Sequence, residues 1–240
     1  MLTLGGGATF SLAGALFHDH NGGLGLSSDM VRVSGGASMI GSGPSALVDL
    51  AGSSASAAGA LLSVSGGAVL DLVRASAPLL NLTQHAALST GRGLVEVSNG
   101  AAVKLSQMIA LNASALTVAG HGVSLTGGAT LTVAGDLFRI ANGSTLTFTN
   151  GALLSLSGGS ALNVTGALVN FIGSGNTLSI SNTLCANGCT MIGNLPVLVT
   201  GGGVLSLSNP ILNLPGNTLT IAPGSAVIAV TGGAQVKQGQ

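Results

Sequence analysis

Between Val123 and Gly135 the chain reads VSLTGGATLTVAG, two short apolar alternations separated by a double glycine. Near-copies stand at Val31 (VRVSGGAS), Leu62 (LSVSGGAVLDL), Val95 (VEVSNGAAVKL) and Leu154 (LSLSGGSALNV). This phrase restricts the fold more than any other feature. Alternation with period two over three to five residues specifies a short strand with one buried face. The glycines provide the positive-φ backbone that a sharp corner demands. Helix is disfavoured, because Gly recurs too often and Thr, Val and Ser stand where Ala, Leu, Glu and Lys would be expected.

One strand and one break occupy roughly seven to eight residues, and such units run along the chain, as in Val103/Leu105, Leu116/Val118, Leu131/Val133 and Leu146/Phe148. The marked phrase itself returns after about 30 residues, while a register of about 22 can also be drawn. About four units per turn is the favoured reading. An antiparallel meander has no reason to repeat at this higher period, so the expected fold is all-β, a parallel β-helix with about 22–30 residues per turn. It should run as one continuous solenoid over residues 1–240, with loops interrupting it near 17–23 and 182–195. The six prolines (Pro44, Pro78, Pro196, Pro210, Pro215 and Pro223) are expected between strands.

Composition removes other classes. Mean hydropathy is +0.68, yet Gly, Ser, Asn or Thr cuts every apolar run far short of the ~18–20 residues of a membrane helix. A transmembrane barrel would need strands of about 9–11 residues and aromatic girdles, and the chain has five Phe and neither Trp nor Tyr. With zero net charge and 5% charged residues, no basic patch or stacking platform serves nucleic acid. The opening MLTLGGGATF lacks the basic and apolar regions of a signal peptide, so the sequence reads as a mature chain or an excerpt.

The pattern resembles the β-helical stalks of bacterial secreted adhesins, the autotransporter passengers and filamentous-haemagglutinin-like proteins. GGAT (Gly6–Thr9), GGAS (Gly35–Ser38), GGAV (Gly66–Val69) and GGAT (Gly127–Thr130) are similar to the GGA repeats of polymorphic outer-membrane proteins, without the FxxN partner of that family. The resemblance covers nearly the whole chain and concerns architecture. It implies a secreted, surface-attached role in adhesion, aggregation or matrix building, with host or matrix glycans as possible partners.

Few residues suggest chemistry. His18 and His20, in FHDHNGG, are the candidate metal ligands, with Asp19 beside them as a hydrogen-bond acceptor; the alternative is a polar surface loop. Cys185 and Cys189 flank the tight turn Asn187-Gly188 and are expected to form a small disulfide loop, two free thiols being the other reading. In the four-unit register Asp71 and Lys104 share a column of adjacent turns, which predicts an exposed ion pair worth about 0.2–1 kcal/mol. Arg32, Ser63 and Glu96 share another. The carboxylates are otherwise dispersed, no catalytic spacing stands out, and no cofactor is implied. TLTV at Thr130, TLTFT at Thr145 and TLTI at Thr218 carry the T-x-T spacing of ice-binding solenoids, in a column expected to be broken by Ser, Asn, Lys and Asp. Sequons at Asn81, Asn112, Asn142 and Asn163 matter only where the source glycosylates.

Neither end offers an obvious cap, so the chain is expected either to continue a longer stalk or to stack end to end with copies of itself. The leading expectation is a structural, non-enzymatic, extracellular or cell-surface fibre subunit or adhesin stalk. A polysaccharide-processing β-helix enzyme is the alternative from a different class. Carboxylates and a basic residue converging on one face would be its mark. An ice-binding solenoid is the third.

Overall fold

The computed structural model describes residues 1–73 and 77–180, and beyond them the strands alone. Every described element is a strand of two to six residues, and all strand pairs are parallel. Four sheets run the length of the molecule, each taking one strand per turn of about 31 residues. Sheet A begins Leu2–Leu4, Val31–Val33, Leu62–Val64; sheet B, Thr9–Leu12, Ser38–Gly41, Val69–Leu72; sheet C, Phe17–His20, Val48–Ala51, Pro78–Thr83; and sheet D, Gly23–Leu26, Ser54–Ala57, Ala87–Thr90. The protein is a parallel β-solenoid with four strands per turn. The 22-residue register is thereby excluded.

The alternation read from the sequence is the in–out alternation of the solenoid. Val31, Leu62, Val95, Val123 and Leu154 stack in one inward column, each fully buried. Such columns line all four sheets and merge into one apolar interior. An inward position cannot slip by one residue without turning its whole strand inside out, so burial fixes the register that the backbone ladder then locks.

The repeated phrase is the corner from sheet A to sheet B. In Gly127-Gly128 both residues have positive φ (61° and 74°), and Asn99-Gly100 does the same work at 54° and 71°. Even here the amides are paired across turns: Gly100 N–H donates to the Gly127 carbonyl at 2.9 Å, and Gly128 N–H to that of Gly158 at 2.8 Å. A Cβ on Gly128 would meet nothing within 4 Å. Gly128→Ala should therefore carry only the left-handed backbone cost, about 1–2 kcal/mol, read as a lowered midpoint of thermal unfolding.

Two local expectations are corrected. Phe17–His20 is not a loop but a strand of sheet C, in register with Val48–Ala51, and Gly23–Leu26 already belongs to sheet D. Backbone pairing with the next turn overrides side-chain polarity: Phe17 and Asp19 face inward, and His18 and His20 outward. Asp19 thus occupies the column of Leu50 and Leu82, with its Oδ2 buried and unpartnered among the described residues. Pro78, expected between strands, opens Pro78–Thr83, the strand position where a missing N–H is tolerated. The segment expected to interrupt the ladder near 182–195 lies outside the described residues.

Candidate functional site

Side chains that face outward stack at the ladder spacing of ~4.8 Å, so chemistry accumulates in columns. On sheet A one column runs Thr3, Arg32, Ser63, Glu96, Ser124, Ser155. Beside it Ser34, Ser65, Ser98 and Thr126 end the same strands or follow them. The two columns floor an open groove of about 540 Å³.

At the groove's edge, where sheet D hands over to sheet A, four charges meet. Asp29 is almost fully buried, and its Oδ1 accepts the Ala60 N–H of the next turn at 2.8 Å. Its Oδ2 accepts Nε and Nη2 of Arg32 at 3.1 and 2.9 Å. Arg92 donates Nη2 to Glu96 Oε2, and its Nη1 lies 3.8 Å from Asp29 Oδ1. Glu96 Oε1 accepts the Gly93 N–H at 3.2 Å. Gly59 makes the quartet possible, because a Cβ there would stand 2.2 Å from Asp29 Oδ1. Sequence reasoning placed Arg32 and Glu96 in one column but missed Asp29 and Arg92, which sit on corners treated as turns alone.

Asp29 exemplifies a recurring device. Asp136 Oδ1 accepts the Ala167 N–H at 2.9 Å, while its Oδ2 accepts Asn170 Nδ2 at 2.7 Å. His121 Nδ1 accepts the Ala152 N–H at 3.0 Å. In each case a corner side chain bridges to the following turn.

For His121 the bond requires the neutral ring with its proton on Nε2, and burial lowers its pKa below the ordinary 6.5. The unfolded chain therefore takes up this proton first as pH falls. Its contribution to stability is intact above about pH 6.5 and is lost as pH drops toward the lower folded value, by at most ~1.4 kcal/mol per pH unit. Asn keeps an acceptor that does not titrate. Urea unfolding of wild type and His121→Asn from pH 7.5 to 5 should show the wild type losing stability relative to the variant.

The other expected sites are placed as follows. His18 and His20 project from the same outer face of sheet C, and His18 Nδ1 lies 3.2 Å from Asp49 Oδ2. Asp49 Oδ1 in turn accepts Asn81 Nδ2 at 2.9 Å. Among the described residues no three His, Cys, Asp or Glu side chains gather to hold a metal. Asp71 and Lys104 are opposite each other, as the column required. Asp71 Oδ1, however, turns back to accept the Val73 N–H at 3.2 Å, and among the described residues no ion pair joins it to Lys104. A nearby backbone amide satisfies an exposed carboxylate without immobilising a lysine. Cys185 and Cys189 lie outside the described residues.

The T-x-T segments turn out to occupy two sheets. Thr130 and Thr132 lie on sheet B, whose outer columns also carry Asp71 and Lys104. Thr145 and Thr147 lie on sheet D, in register with Ala115 and Thr117, Thr177 and Ser179, and onward to Thr218 and Thr220. Together with Ser54, Ser56, Ala87 and Ser89, the outer positions up to Ser179 hold only Ala, Ser and Thr, and the sheet opens on Gly23 and Gly25. Among the described residues this face carries no charge.

Comparison of the chain with protein-family models, curated proteins and solved structures finds no match.

Proposed function

We propose that the chain is a structural, non-enzymatic β-solenoid of an extracellular or cell-surface fibre or adhesin stalk. The observation that carries this reading is the uniform parallel ladder, which continues through the corners as well as the strands. A further turn, from a longer polypeptide or from a second copy, adds by the same bonds. Placement outside the cell rests on the resemblance to secreted stalks.

The charge quartet bears on the enzymatic alternative, because carboxylates and arginines do converge on one face. Their arrangement favours a clamp. Asp29 is buried and accepts from both a backbone amide and Arg32, and Glu96 accepts from Gly93 and Arg92. A general base needs an accessible lone pair aimed at substrate.

Negative-stain electron microscopy across a concentration series tests the proposal. Unbranched fibres of uniform width, lengthening with concentration, are expected. Dispersed short rods at every concentration would remove self-stacking. Release of new sugar ends from polysaccharides, abolished by Glu96→Gln, would replace the structural reading with the enzymatic one.

A second reading, ice binding, is favoured by sheet D, where the hydroxyls of Ser56, Ser89, Thr117, Thr147 and Ser179 repeat at ~4.8 Å across strands on a face without charge among the described residues. Thermal hysteresis, lost on Thr147→Lys, would establish it. A freezing point equal to the melting point would dismiss it.

A further inference from the structure

The outer face of sheet A holds more than the stacking of turns requires. Its residues are polar, its groove is open, and two guanidiniums stand over it with donors to spare. Arg32 engages Asp29 through Nε and Nη2, and Arg92 engages Glu96 through Nη2. Among the described residues, Nη1 of neither arginine makes a hydrogen bond, and both side chains are about half exposed.

The partner carboxylates fix the position of both forks. Asp29 is held by the Ala60 amide and Glu96 by that of Gly93, so each arginine is anchored by a group that is itself tied to the backbone. A planar fork held this way is preorganised for a further carboxylate. Below lies the hydroxyl floor of Ser63, Ser65, Ser98 and Ser124.

We infer that this groove binds an acidic glycan, a chain of hydroxyl-rich sugar units bearing carboxylates, laid along the solenoid axis. Each alternative class lacks something here. The lining carries no aromatic ring on which a base could stack, as a single-stranded nucleic acid would need. The floor has neither an apolar slot nor an aromatic ring for an apolar ligand. A row of hydroxyls at ~4.8 Å spacing offers donor and acceptor pairs to a polyol, and the guanidinium edges select a carboxylate on it. The inference goes beyond fibre formation. It rests on the non-enzymatic reading of the quartet only in expecting the glycan to be bound and left intact.

The test is calorimetric titration of the full chain at low salt. The probes are tetragalacturonate and its carboxyl-reduced, neutral counterpart of equal length. Binding of the acidic oligomer should be about tenfold or more tighter than that of the neutral one. Arg92→Gln should remove most of that preference. Ser65→Asp, in the second column of the floor and not in the one that holds Arg32 and Glu96, should weaken acidic binding by a similar factor and guards against a fold defect in the arginine variant. Circular dichroism confirms that both variants are folded.

Failure of the wild type to bind either oligomer would overturn the inference. So would equal affinity for both, or acidic binding indifferent to both substitutions. Competition by acetate as strong, mole for mole, as by the oligomer would reduce the site to an anion contact and would also overturn it. Binding accompanied by cleavage would instead overturn the non-enzymatic reading while leaving the glycan site standing.

Discussion

Replacing Phe138 with alanine should lower the unfolding free energy by about 3–5 kcal/mol. Phe138 is fully buried on sheet C, stacked between Ile109 and Val169 of the neighbouring turns. Its ring meets that of Phe148, from sheet D, edge to face, with centroids 6.1 Å apart and planes at 86°. Such a contact is worth about 0.5–1.5 kcal/mol beyond the area it buries. The opposite wall has been cleared for it. A Cβ on Gly122 would lie 3.0 Å from atoms of both rings and 2.5 Å from the Leu153 carbonyl oxygen. Alanine would therefore leave a cavity whose ladder-bound walls cannot collapse. Leucine, which refills much of the volume, should cost under about 1.5 kcal/mol. Urea denaturation measures the difference, and hydrogen exchange at the Ile109 and Val169 amides locates it. Equal midpoints for wild type and the alanine variant would mean that this part of the interior is not packed as described.

The fold was legible in the sequence because a solenoid writes its three-dimensional repeat as a one-dimensional one. Gly127-Gly128 and Asn99-Gly100 announce their corners through residue types that tolerate positive φ, and the apolar alternation announces the inward columns. Columns separated by whole turns were legible too: Arg32, Ser63 and Glu96 line up as the spacing requires. What escaped are contacts made at corners, where a side chain leaves its column. Arg92 reaches Asp29, two turns back, only because Gly59 stands between them without a side chain. The bridging acceptors Asp29, His121 and Asp136 escaped for a related reason. Ala60, Gly93 and Ala152 occupy the positions equivalent to Asp29 and His121 in other turns, so no repeated polar signal marks them.

Polar residues misled in the other direction at Phe17–His20. There, histidines and an aspartate suggested a loop, although ladder pairing with Val48–Ala51 decides the conformation. The uncharged face of sheet D was invisible for a third reason. Thr130 and Thr145 have identical local sequences, TLT, yet they fall on different sheets, and only the full register separates them.

The same glycine-to-alanine change should have very different consequences at two corners, and Gly151 is the severe one. Gly128 has open space around it, whereas a Cβ on Gly151 would lie 2.2 Å from both the carbonyl carbon and oxygen of Gly120, and 2.5 Å from the His121 nitrogen. These are backbone atoms of the preceding turn, which no rotamer change can move aside. Gly151→Ala must therefore prise the two turns apart where sheet D passes into sheet A. The bonds at risk are the Ala152 N–H to His121 Nδ1, Gly122 N–H to the Ala152 carbonyl, and Val123 N–H to the Leu153 carbonyl. Losing one and straining the others, on top of the overlap itself, should cost about 3 kcal/mol or more, against about 1–2 for Gly128→Ala. Paired urea unfolding curves test the contrast, and equal losses at the two corners would show that close stacking of turns does not hold the solenoid together there. Because burial is what lowers the His121 pKa, prising the turns apart and wetting the ring should also flatten the stability change between pH 7.5 and 5 that distinguishes wild type from His121→Asn.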